Sequence, residues 1–157
     1  MKFRVISIPP FKAASSGVDP HNDFSENGVL GKFDAYFSKL RPRPSDNFTP
    51  RDFLYFDAEQ GGLVWIYALT DYMDAEEYEV LDFDGGFYVT YHYKDGDYEE
   101  NERLYKEAMT WIEESDTFAL DIRTNHYAMG HIITPPEIIR ATGSAQMESF
   151  IPIKLKK

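Results

Sequence analysis

Strand, helix, strand, strand is the order in which the hydrophobic period changes along this chain, and the order occurs twice, the second time displaced by about 75 residues. The first pass opens with a strand over 2–16, bulged at Pro9 and Pro10, followed by a polar loop over 17–27. Val29, Phe33, Tyr36, Phe37 and Leu40 then recur at helical spacing, with Ser25 or Asn27 available as a cap and Pro42 as the stop. FLYFD at 53–57 and LVWIYAL at 63–69, joined by AEQGG, predict a hairpin, and the acidic stretch over 71–86 reads as a connector. The second pass begins with FYVTYHY at 87–93, closed by KDGD. Asp97, with Glu100 three residues on, caps a helix that carries Leu104, Ala108, Trp111 and Ile112 on one face. A strand from Thr124 to Ile133, a Pro- and Gly-containing loop over 134–146 and a closing strand over 147–155 complete it.

A helix with one apolar stripe covers one face of a sheet and leaves the other open. The expected fold class is therefore α+β: duplicated βαββ modules, antiparallel sheets with two main helices on one side, and a central ligand cleft at the junction. The 157 residues make one domain with pseudo-repeats over about 1–72 and 84–157.

Charge narrows the partners. Lys and Arg number 16 against 27 Asp and Glu, a net charge of −11, and such a field repels phosphate backbones; direct nucleic-acid binding is not expected. The one basic cluster is the tail Lys154, Lys156 and Lys157. Cysteine is absent, which excludes disulfides, thiolate metal sites and a cysteine nucleophile. The longest apolar run, LVWIYAL, is far short of the roughly 20 residues a spanning helix needs, so no membrane partner and a cytoplasmic location are expected. His92, His126 and His131 form no metal-ligand spacing, KDGDYEENE lacks the order of a calcium loop, and no GxSxG, P-loop or dinucleotide glycine pattern occurs. No cofactor and no metal follow from the residues.

Three local motifs carry a resemblance: LYFD at 54–57, GGFYVTYHYKDGDY at 85–98 leading into EENERLYKEAMTWIEES, and MESFIPIK at 147–154. Together with the order of elements they resemble the GyrI-like small-molecule-binding domain, the effector-binding domain of AraC-type and MerR-type multidrug regulators. The resemblance implies a non-catalytic sensor or sequestering protein for hydrophobic or cationic aromatic small molecules, standing alone without a helix-turn-helix module. It also implies two alternatives, a hydrolase of strained electrophilic genotoxins on the same fold and a protein inhibitor of DNA gyrase; a regulator or gyrase is then the protein partner. In many relatives the fifth strand carries a cleft-facing glutamate and, two residues on, a tyrosine. Ala128 and Gly130 fall at those places here, so that strand offers no anion to a cationic ligand.

Side-chain alternation then selects the ligand-binding candidates. In LVWIYAL the smooth set Val64, Ile66 and Ala68 suits the helix side, which points Trp65 and Tyr67 to the cleft. In the last strand Met147, Ile151 and Ile153 suit the core, and Glu148 and Phe150 share the opposite face; Tyr55 stands at the position of a family aromatic. Glu148 has two readings, the counter-charge of a bound cation or a strand residue paired with a lysine such as Lys154.

Overall fold

The computed structural model describes residues 2–43 and 51–157. It is α+β, with nine strands and three helices among those residues: β1 (Arg4–Ile8), β2 (Phe11–Ser15), α1 (Val29–Phe37), β3 (Asp52–Asp57), β4 (Gly62–Ala68), β5 (Glu79–Phe83), β6 (Gly86–Lys94), α2 (Tyr98–Glu113), β7 (Phe118–Leu120), β8 (Met129–Ile132), α3 (Pro136–Thr142) and β9 (Gln146–Leu155). No described helix is long and apolar enough to cross a membrane. The chain divides into two compact units, one of Pro10–Asp84 and one of Met1–Pro9 with Gly85–Lys157. The βαββ order recurs in them, β2-α1-β3-β4 and β6-α2-β8-β9, the second interrupted by β7 and α3.

The expected single strand over 2–16 is two strands. Pro9 and Pro10 remove two successive backbone donors, so no ladder continues through them. Before the prolines β1 pairs antiparallel with β6, Arg4 opposite Thr90 and Ile6 opposite Tyr88. After them β2 pairs with β4 and with β5, Ala13 standing opposite both Ala68 and Leu81. The acidic connector over 71–86 likewise contains a strand, β5, whose Phe83 stacks on Phe11 at 4.5 Å.

In the Pro10–Asp84 unit the sheet runs β3-β4-β2-β5. The β3–β4 hairpin turns where the Asp57 carboxylate accepts the backbone N–H groups of Glu59 and Gln60, and Gly61 takes φ +73° to close it. α1 starts at Gly28 with no side-chain cap, neither Ser25 nor Asn27 serving. A Cβ on Gly31 would meet the Ser25 carbonyl oxygen at 1.8 Å, so the approach of loop to helix needs glycine. Phe33 and Tyr36 of α1 bury against Tyr67 and Ala14.

In the other unit the order is β1-β6-β9-β8, and β9 is long enough to carry β8 and then β7 along its second edge. Asp97 caps α2 as expected, its carboxylate accepting the Glu100 N–H at 3.1 Å. Leu104, Ala108 and Ile112 of α2 pack on Val89, Tyr91, Ile151, Ile153 and Phe3, with Trp111 partly buried beside them. The segment expected as a loop over 134–146 contains α3, opened by Pro136 and closed by Gly143 at φ +69°.

Candidate functional site

Cross-strand register sorts the second unit's sheet into two faces. Val89 stands opposite Ile151 and Phe87 opposite Ile153, and Val89, Ile151 and Ile153 lie in the core with α2. The alternate residues therefore face away from the helix: Tyr88, Thr90 and His92 on β6, Glu148 and Phe150 on β9, Met129 and His131 on β8, and Arg4 on β1. This face holds aromatic, polar and charged side chains together.

Glu148 is its centre. His92 stands opposite it on one side and His131 on the other, and the residue is only 8% exposed. A carboxylate so far from water needs a partner, and Arg4 of β1 supplies one through an ion pair. Lys154, the partner read from sequence, is an exposed β9 residue in register with Ala119. One residue pair along the sheet, Thr90 stands between Arg4 and Phe150; it is 1% exposed, and its Oγ1 has no hydrogen-bond partner among the described residues. Phe150 meets Tyr88 edge to face at 6.3 Å, and Tyr88 stands 5.8 Å from the buried His126 ring, whose Nε2 is 3.6 Å from Asp121. A carboxylate, a hydroxyl and two rings are the chemistry that a cation with an apolar body requires, and here Thr90, Tyr88 and Phe150 are each 1% exposed.

Trp65 and Tyr67 lie elsewhere. Both are on the face that α1 covers: Phe37 meets Trp65 at 5.1 Å and stacks on Tyr67 at 5.1 Å. The expected phase of β4 is thus reversed, because α1 presents rings rather than aliphatic groups and rings receive it. Trp65 also donates Nε1–H to the Asp52 carboxylate at 3.1 Å, and Phe24 covers its other side at 5.8 Å. Burial pushes the Tyr67 phenol up, the nearby Arg51 opposing the shift. Tyr55, with Val64 opposite it, takes the face away from α1 and is buried. Of the five expected residues, Tyr55, Glu148 and Phe150 face away from their units' helices, and Trp65 and Tyr67 do not.

The phase of β8 is reversed too. Ala128 packs against the α2 core, and a Cβ on Gly130 would meet the Met147 Cε at 3.2 Å, so Met129 and His131 occupy the face of Glu148. Arg4, Tyr88, Thr90 and His131 are not among the ligand candidates that the sequence suggests, although the alternation of Tyr88, Thr90 and His92 with Val89, Tyr91 and Tyr93 carries the signal. No group of three or more His, Asp or Glu among the described residues is arranged to hold a metal ion.

A separate hollow of about 780 Å³ lies within the Pro10–Asp84 unit, lined by Phe11, Leu69, Met73 and Val80, with Asp71 and Asp74 at it. Both carboxylates are exposed, so water already solvates them and a cation gains little there.

No family model matches the chain, and no curated protein does. Solved structures match in fold. A hydrolase from Listeria innocua aligns with a TM-score of 0.60 at 14% identity, covering 98% of this chain and 92% of that one. An uncharacterized conserved protein from Listeria innocua aligns with a TM-score of 0.59 at 15% identity over the same shares. SAV2435, solved bound to tetraphenylphosphonium, aligns with a TM-score of 0.55 at 10% identity, covering 98% of this chain and 94% of that one.

Proposed function

We propose that the chain is a GyrI-like small-molecule-binding domain that takes up hydrophobic organic cations without transforming them, acting as a sensor or sequestering protein. The observation that carries the reading is Glu148, a carboxylate withdrawn from water yet paired with a side chain that is itself largely in water. On the same face of the sheet the rings of Phe150 and Tyr88 meet edge to face at 6.3 Å. A soft cation loses little hydration on entry and gains about 0.5–2 kcal/mol for each good contact with a ring face. SAV2435, of like fold, holds a cation of this chemical kind. Trp65 and Tyr67 serve the fold beneath α1 and drop out of the ligand set.

Calorimetric titration with tetraphenylphosphonium tests the reading. Saturable binding is expected, weakened about tenfold or more by Glu148→Gln, which corresponds to about 1.4 kcal/mol. Equal affinity in the parent and in Glu148→Gln would remove Glu148 from the site.

One observation favours a second reading, hydrolysis of a strained electrophile. Glu148 lies in register between two histidines, and a carboxylate beside imidazoles can activate water. Incubation with a compound bearing a three-membered ring should then yield a ring-opened product, lost in Glu148→Gln. Recovery of the compound unchanged rejects hydrolysis and leaves binding in place.

A further inference from the structure

The face proposed to hold a cation already carries one. Arg4 stands opposite Thr90 on β6, whereas Glu148 belongs to β9 and stands opposite His92 on the far side of β6. To meet Glu148, the Arg4 side chain spans β6, about 10 Å from strand axis to strand axis. The two partners are unequal: the arginine side chain is 67% exposed and the glutamate side chain 10%. Arg4 itself loses little by leaving for water, since its guanidinium is mostly hydrated already, whereas Glu148, fixed in the middle of a sheet, needs another cation in its place. In the row that Arg4 shares lies the Thr90 hydroxyl, buried and without a partner among the described residues.

We propose that Arg4 is a resident competitor for the ligand's place and the specificity-determining residue of the site. The proposal rests on the reading of Glu148 as the ligand's counter-charge. An incoming cation must displace the guanidinium. A small hydrophilic cation exchanges one ion pair for another and gains nothing; a bulky cation adds the burial of its own apolar body in proportion to its area, which requires the Phe150 and Tyr88 rings, each 1% exposed, to open to it. The site thereby takes large lipophilic cations and refuses small ammonium ions, and the refusal resides in Arg4 rather than in the shape of a pocket.

Calorimetry on the full chain with two probes, tetraphenylphosphonium and tetramethylammonium, tests this. Arg4→Met keeps most of the stem and removes the charge. It should bind tetraphenylphosphonium about tenfold more tightly than the parent and bring tetramethylammonium from no detectable heat to measurable binding. Arg4→Lys should behave as the parent. Arg4→Gln is neutral and polar, and carries the same expectation as Arg4→Met should the latter not fold. Unchanged or weaker tetraphenylphosphonium binding in the folded neutral variants, with Glu148→Gln still impaired, would overturn the role of Arg4 and leave the site reading standing. Absence of binding in the parent and in the neutral variants alike would remove the site reading, and Arg4's role with it.

Discussion

Tyr36 and Tyr91 set an alkaline limit on this protein. Both are 4% exposed, and burial pushes each phenol up to about 12, acidic neighbours adding to the shift at Tyr36 and a hydrogen bond with Ser149 opposing it at Tyr91. In the unfolded chain the same groups lose their protons near 10. The folded state therefore binds more protons between the two values, so the stability these residues contribute is complete below pH 10 and is lost as pH rises through about 12. The melting temperature followed by circular dichroism should fall steeply between pH 10 and pH 11.5, and Tyr36→Phe with Tyr91→Phe should flatten the fall; equal slopes in parent and double variant would contradict the assignment. In β9 the charge of Glu148 breaks an otherwise apolar alternation and marks the face that it shares with Phe150. In β4 both alternating sets are apolar or aromatic, so period 2 separates them without saying which one a helix will cover, and α1 covers Trp65 and Tyr67.

At the scale of elements, α2 was legible because cap, acidic first turn and apolar stripe agree. Asp97 carries that start: Asp97→Ala removes the bond to the Glu100 N–H and a negative charge from the helix N-terminus, and should lower stability by about 1 kcal/mol. A urea midpoint that does not move would show that Glu99 and Glu100 suffice. The elements that went unread are those whose local signal is weak. β5 is embedded in acidic residues and becomes a strand only because β2 offers it an edge, Lys12 binding Asp82 at 2.7 Å across the pair. β7 is three residues long and takes its definition from β9. In α3 the paired prolines read as a loop, yet Pro136 occupies the first turn, where its missing N–H costs nothing, and Gly143 ends the helix left-handed.

At the scale of the whole molecule, the boundaries of the two units fall at Pro9 and Asp84, so the first strand of the chain belongs with its C-terminal half. A reading that moves along the sequence assigns β1 to the first repeat; only the pairing of Arg4 through Ile8 with Gly86 through Thr90 places it in the second. Long-range pairing of this kind has no local signature, whereas the βαββ order does, and that is why the duplication was legible and the exchange of β1 was not. Removal of residues 2–9 should therefore act at a distance in sequence. The β6 edge loses its partner strand, Phe3 leaves the core beneath α2, and Glu148 loses Arg4. Hydrogen exchange on the shortened chain should show faster exchange for the β6 amides that face β1 and for α2, while amides of the β3–β4 hairpin keep their protection. Loss of protection in the hairpin to the same extent would mean that the units unfold as one cooperative body, and the boundary at the prolines would then mark a bend in the chain and not a division of stability.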